Sequence, residues 1–339
     1  MSRTEMDIAM SKGYRWLHRF SVFTAGATLF LIFAGAMVSS TGSGLAVPDW
    51  PLSYGMVFPP MVGGIFYEHG HRMVATFVGI LTTALAVWMW RREERRWLRN
   101  LGVAALAAIV LQGLLGGLTV LYLLPTWISV SHACLAQVFF CLTVGIALFT
   151  SAGWQAAVEP MSESGGVPLK WLVAAGTVVV FIQLVLGALM RHTESGLAIP
   201  DFPLSFGRLI PPFSELTVDA TDPFPISIET FRTRVAIHFA HRAWAVVVSG
   251  VLVWTACRIL RAHGSRLELT RPSVALLAQL VVQLALGALV IWTGKAVAIT
   301  TLHVVVGATV LATSVVLTLR VWRICGAVDS RVATVQVES

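Results

Sequence analysis

The chain has 339 residues, of which 56% are hydrophobic and 12% charged, with a mean hydropathy of +0.78. That is about half the charge of an ordinary soluble domain. It excludes a soluble enzyme, a disordered chain and, with four cysteines, a disulfide scaffold. The net charge of +7 lies in short runs between long apolar segments, which points to a membrane surface and away from nucleic acid.

Eight apolar stretches follow one another along the chain: 19–40, 69–90, 100–123, 128–151, 170–191, 235–258, 272–294 and 298–321. Each approaches or exceeds the roughly 20 residues that cross a hydrocarbon core as a helix. None alternates as a barrel strand does, and only helices or closed barrels satisfy their backbone in lipid. The expected fold is an all-α polytopic membrane protein with eight transmembrane helices. No clear small-residue cleavage site follows the first stretch, so it reads as a retained helix and not a signal peptide.

Basic residues orient the spans. Arg3, Lys12, Arg15 and Arg19 precede the first. Arg91, Arg92, Arg95, Arg96 and Arg99 follow the second, and Lys170 opens the fifth. Arg258, Arg261, Arg266 and Arg271 follow the sixth, and Arg320, Arg323 and Arg331 end the chain. These are 17 of the 24 Lys and Arg, whereas residues 41–67 contain none. Both termini are therefore expected in the cytoplasm, with loops 41–67 and 192–233 outside. The second of these loops is acidic, with Glu215, Asp219, Asp222 and Glu229. Cys134, Cys141, Cys257 and Cys325 fall in helices or near the inner face and read as small buried hydrophobes.

An internal repeat organises the spans. Residues 43–55 read SGLAVPDWPLSYG and residues 195–207 read SGLAIPDFPLSFG, ten of thirteen identical at an offset of 152. EHGHRMVA at 68–75 matches HFAHRAWA at 238–245 at an offset of 170. Gln112, Gly116 and His132 match Gln283, Gly287 and His303 at 171. The expected architecture is two tandem four-helix bundles in a parallel pseudo-twofold repeat. Its parts are a cytoplasmic segment 1–18, an N-terminal half 19–151, a cytoplasmic linker 152–169, a C-terminal half 170–321 and a tail 322–339.

The repeat sorts the nine histidines. His71 pairs with His241 and His132 with His303, all near the outer ends of segments that run inward. Ionisable groups within a membrane segment are costly and mark function, and facing helices of a bundle are where cofactors are held. Zinc usually takes a third or fourth protein ligand, which is missing at that depth. Haem iron accepts two axial imidazoles, so one haem site per half is the economical reading.

Glu68 lies three residues before His71, on the same helix face, and His238 stands in its place in the second half. A carboxylate there suits proton transfer or stabilisation of a cationic intermediate; a helix cap is the alternative. The contrast suggests a reactive first half and a storage or electron-transfer haem in the second. Arg72 and Arg242 are candidate propionate contacts, with snorkelling to the outer surface equally open. His69 is expected at the water interface and His18 and His263 in solvent. His192 has Ser40 opposite it. Gly113, Gly116 and Gly117 read as close helix packing.

The SGL…PDWP loop, the E-x-x-HR start of segment two, its HR counterpart in segment six and the duplicated layout together resemble the heme A synthase family over essentially the whole chain. The resemblance implies an eight-helix enzyme of the bacterial plasma membrane or mitochondrial inner membrane. Such enzymes oxidise the C8 methyl of heme O to the formyl group of heme A, by two hydroxylations and loss of water. His71 and His132 would then flank the substrate haem, and His241 and His303 would ligate a resident haem b. Glu68 matches the acidic residue of the chemistry, and electrons would enter through the second half. Implied partners are a heme O-producing farnesyltransferase, terminal oxidase assembly and an electron donor.

Two features depart from the family pattern. The 41–67 loop lacks the Cys pair of some bacterial members, so a mechanism needing that disulfide does not apply. Ser39 stands where an Arg often precedes the Thr-x-SGL motif, whereas the second half has Arg191. A di-haem electron-transfer subunit shares the paired histidines but needs no Glu68. A transporter would place charges or broken helices mid-membrane.

Overall fold

A computed structural model describes residues 3–156, 158–161, 166–218 and 226–338, with side chains over 13–326 of these. The side chains of Arg3, Lys12 and Arg331 lie outside that description, as do Asp219, Asp222 and part of the 152–169 linker. Among the described residues the secondary structure is helical: α1 (Arg3–Ser40), α2 (Gly63–Arg92), α3 (Arg96–Leu121), α4 (Thr126–Phe149), α5 (Ala152–Gln155), α6 (Leu169–His192), α7 (Ile228–Ala262), α8 (Leu267–Trp292) and α9 (Val297–Glu338). Eight of these, all but the short α5, are long and apolar enough to cross a bilayer. The chain is an integral membrane protein.

The helices outrun the apolar stretches. α2 begins at Gly63, not 69, because the preceding loop folds against its first turns. α7 begins at Ile228, where Ser227 accepts a hydrogen bond from the Thr230 amide at 3.1 Å, the usual side-chain cap of a helix start. α8 begins at Leu267 and carries Pro272 inside it. Proline has no N–H for the carbonyl four residues back. That carbonyl, Glu268 O, instead accepts from Arg320 Nη1 of α9 at 2.6 Å.

Helix contacts close a ring through α1, α2, α3 and α4 and another through α6, α7, α8 and α9; α1–α9, α4–α9 and α4–α6 contacts join them. Leu85, Met89, Leu98, Phe139 and Ile146 pack the interior of the first ring, and Leu172, Leu252, Ile259, Leu276 and Leu317 that of the second. A third cluster of Ile32, Phe140, Ala308 and Ala312 lies between them on α1, α4 and α9. Apolar side chains also point outward, with Val246 73% and Val281 68% exposed. Lipid is as good a solvent for them as the core.

The end carrying the basic runs is tied by arginines. Glu93, between α2 and α3, is buried and accepts from Tyr14 at 2.7 Å and from Arg95 Nε at 2.8 Å, and Arg95 also reaches Phe149 O and the Tyr14 hydroxyl. Burial opposes ionisation of this carboxyl, but the hydrogen bonds from Arg95 and Tyr14 outweigh it and lower its pKa. Arg266 holds the carbonyls of Glu159 and Pro160, Arg258 that of Val167, and Arg323 those of Gly153 and Ala156. His18 belongs to this end and is not simply solvated: Nδ1 lies 3.1 Å from Ala147 O and 3.3 Å from Thr150 Oγ1.

The α3–α4 and α8–α9 connections both use left-handed backbone, at Leu123 (φ 58°) and Leu124 (φ 59°), and at Gly294 (φ 58°) and Lys295 (φ 66°). Leucine with positive φ is strained and glycine is not. The Leu123 side chain is 75% exposed, so little packing is lost with it. Leu123→Gly should therefore raise stability by about 1 kcal/mol, read as a higher melting temperature in detergent; an unchanged or lower value would show that this turn carries no strain.

Candidate functional site

The α1–α2 loop is built on Asp49. Its carboxylate accepts the amides of Tyr54 at 2.6 Å and Gly55 at 2.8 Å, and a bridge joins Ser53 to Met56. The α6–α7 loop repeats this with Asp201, Phe206, Gly207 and a Ser205–Arg208 bridge. Tyr54 and Phe206 both take positive φ, and the Trp50–Pro51 and Phe202–Pro203 bonds are both cis. Trp50 lies directly on α3: a Cβ at Gly117 would stand 2.6 Å from its ring.

One arginine pins each loop to the helix after it. Arg72 Nη1 donates to Asp49 O and Leu52 O at 2.8 and 2.7 Å, and Nη2 to Glu68 Oε1 at 2.7 Å. Arg242 donates to Asp201 O, Leu204 O and Ile199 O at 2.8, 2.9 and 3.2 Å. Neither guanidinium is spread over the lipid surface; both are engaged with loop carbonyls.

Glu68 is buried, and its second oxygen accepts the Val47 amide at 2.9 Å. It lies beyond the first turn of α2, so it is not a cap of the helix start. His238 occupies the equivalent place: Ile199 N–H points at Nδ1 (3.2 Å) and Arg242 Nε at Nε2 (3.1 Å). A carboxylate accepts both donors, whereas a neutral imidazole has one lone pair for the two. His69 is buried against the same loop, with Nδ1 2.8 Å from Ser53 Oγ. Its expected place at the water interface is therefore corrected, because the loop folds over the start of α2.

The four repeat-related histidines each lie against a glycine of a neighbouring helix. A Cβ at Gly35 of α1 would lie 3.1 Å from Cε1 of His71. Gly116 of α3 would meet His132 at 3.2 Å, Gly187 of α6 His241 at 3.2 Å, and Gly287 of α8 His303 at 3.3 Å. Each imidazole thus rests on helix backbone where a side chain is missing. Nδ1 of His71, His132 and His303 is buried with no hydrogen-bond partner, although buried polar atoms are normally paired. The glutamines beside them are less idle. Gln112 Nε2 donates to His132 O at 2.9 Å, Gln183 Nε2 to His241 O at 3.1 Å while lying 3.2 Å from that imidazole's Nε2, and Gln283 Nε2 lies 3.4 Å from His303 Nε2. His71 and His132 lie within electrostatic range of each other, and so do His241 and His303.

Sequence reasoning took Gly113, Gly116 and Gly117 for helix packing. Gly116 instead faces His132, Gly117 faces Trp50, and Gly113 has open space before it. It missed Gly35 and Gly187, although these match at the offset of 152 that relates the loops. Among the described residues no group of three His, Cys, Asp or Glu side chains could hold a bare metal ion. Paired imidazoles in glycine cradles, with unpartnered ring nitrogens, fit a flat iron-centred group between two helices.

Comparison with known proteins gives the family. The model of the COX15-CtaA family, described as cytochrome oxidase assembly protein, matches residues 61–315. The chain belongs to this family. The matched span contains Glu68 and all four histidines. Among family relatives named heme A synthase, the Halalkalibacterium halodurans protein is 27% identical over 86% of this chain and 93% of its own length. That of Symbiobacterium thermophilum is 30% identical over 80% and 85%. The Bacillus licheniformis protein is 31% identical over 54% of this chain, and the match spans 61% of its own length.

Asp49 makes the loop sensitive to acid. The hydrogen bond from the Gly55 amide, followed by that from Tyr54, lowers its pKa below the usual carboxylate range. A lowered pKa favours the folded loop while the carboxylate is ionised, and this contribution is lost as pH falls through the lowered value. Hydrogen exchange of the 41–62 segment should accelerate only in that acidic window, and Asp49→Asn should remove the transition. An Asn variant with the same pH profile would discount the Asp49 turn.

Proposed function

We propose that the chain is a heme A synthase, oxidising the C8 methyl of heme O to the formyl group of heme A for terminal oxidases. The observation that carries the reading is the double set of imidazoles, each seated on a glycine, with an unpartnered ring nitrogen on His71, His132 and His303. Family membership supplies the substrate class. In this reading the halves are two four-helix bundles related by a parallel pseudo-twofold axis. The protein lies in the bacterial plasma membrane or mitochondrial inner membrane with both termini cytoplasmic. It works alongside a heme O-producing farnesyltransferase and an electron donor.

His71 and His132 flank the substrate haem, and His241 and His303 hold a resident haem b. When bound, haem supplies the one-electron and dioxygen chemistry that an unreactive methyl C–H bond requires. The chain contributes position and proton control. Gly35 and Gly116 let the first-half imidazoles lie close to the helix backbone. Arg72, through Asp49 O and Leu52 O, keeps the loop closed over that end of the pocket and excludes water.

Glu68 is the proton-handling residue. It stands one turn before His71, with Oε1 on Arg72 and Oε2 on the Val47 amide. The loop tie alone does not account for a carboxylate, because His238 occupies the same tie in the second half. The difference between the halves is therefore chemical.

The test is co-expression with a heme O-producing farnesyltransferase, with extracted haems identified by mass. Heme A is expected from the native chain. Glu68→Gln keeps an acceptor for Val47 but removes the charge, and should lower heme A formation by about 100-fold or more while the b-type spectrum persists. His303→Ala should remove that spectrum. Heme A at normal level from Glu68→Gln would reduce Glu68 to a loop anchor. Two b-type haems with no heme A from the native chain would favour an electron-transfer subunit instead.

A further inference from the structure

Four helices meet at the seam between the halves. α4 and α9 touch there, and α1 and α6 stand at opposite corners without packing on each other. One side chain crosses the gap: Arg191, next to last in α6, donates from Nη2 to Oγ of Ser40, the last residue of α1, at 3.0 Å. The Thr301 hydroxyl of α9 reaches the same Ser40 oxygen at 3.1 Å, and Thr126 of α4 bonds the carbonyl of His192 at 3.3 Å. The guanidinium thus meets a neutral hydroxyl that is itself tied to α9, beside a second polar tie between α4 and α6.

Among the described residues no carboxylate meets it. The ion pairs among the described residues are Arg72–Glu68, Arg95–Glu93, Arg208–Glu215, Arg234–Glu194 and Arg266–Glu268. A guanidinium has five N–H donors, and the Ser40 contact uses one. A partly buried cation with spare donors and no counter-ion is costly to keep. Arg72 and Arg242 are already committed to loop carbonyls, and Arg234 is paired with Glu194, whereas Arg191 has neither kind of partner among the described residues. Its position is informative: Ser40 ends α1, whose Gly35 seats His71, and Thr126, bonded to the neighbouring His192 carbonyl, opens α4, which bears His132, so Arg191 stands at the ends of the two helices that frame the first-half pair.

We propose that Arg191 is the carboxylate-binding residue of the first-half porphyrin site, taking a propionate of the tetrapyrrole held by His71 and His132. This rests on the reading of that pair given above. A carboxylate supplies the missing counter-charge and matches the planar fork of the guanidinium. The second half has no equivalent: the counterpart of Arg191 is Ser39, whose hydroxyl is turned back on Gly35 O at 3.2 Å. An arginine of the second half therefore serves the site of the first, and makes that site selective for a free carboxylate.

The test compares iron protoporphyrin IX with its dimethyl ester, titrated into the purified full-length protein and followed by the Soret band. First-half binding is identified as the part lost in His132→Ala. The native protein should prefer the diacid by about tenfold or more. Arg191→Met should abolish that preference by weakening the diacid alone, and Arg191→Lys should keep part of it. Equal weakening of both ligands would make Arg191 a strut between α1 and α6, and an intact preference would assign the carboxylate to another residue; either result overturns the proposal. If the native protein binds neither ligand through His132, the pair is not a porphyrin site, and both readings fall.

Discussion

An imidazole can lie along a neighbouring membrane helix only where that helix offers no side chain. This constraint recurs at Gly35, Gly116, Gly187 and Gly287 and governs how closely the helices of each ring approach. Without it the four histidines would be forced towards lipid or towards one another. With it, they are held at their partner helices while Nδ1 of His71, His132 and His303 remains unengaged. The long apolar spans, the short connections and the packed interiors serve to keep these contacts in register.

The loops complete the enclosure, and arginine is the fastener in both. The main-chain carbonyls of a tight turn are strong acceptors that must be paired when covered. Arg72 and Arg242 pair several at once and draw the turn onto the helix. At the opposite end the basic residues do similar work, closing helix termini and linker carbonyls. A charge pattern that reads as an orientation signal is thus also a set of backbone contacts.

Much of this was legible in the residues. Apolar length marked the spans, and the exact repetition of SGLA-x-PD singled out the paired loops and, through their offsets, the paired histidines. What stayed hidden depended on which face a residue presents. Gly116 and Gly113 are the same residue type one turn apart, yet only Gly116 meets an imidazole. His69 looked exposed by helical phase because nothing local says that Ser53 folds back upon it. Helix ends were misjudged where polar residues such as Arg232 and Arg234 continue a helix beyond its apolar core. The apolar stretch starts at 272, yet the helix runs back to Leu267 across Pro272, whose freed carbonyl is satisfied by Arg320, some fifty residues away.

His132 and His303 are borne by α4 and α9, which touch each other across the seam. There Phe140 and Ile32 close upon Ala308 and Ala312, small residues that leave little slack between the backbones. The two compartments therefore share a party wall. Any shift of α9 at this contact would bear directly on α4, since Ala308 and Ala312 offer no long side chain to take it up.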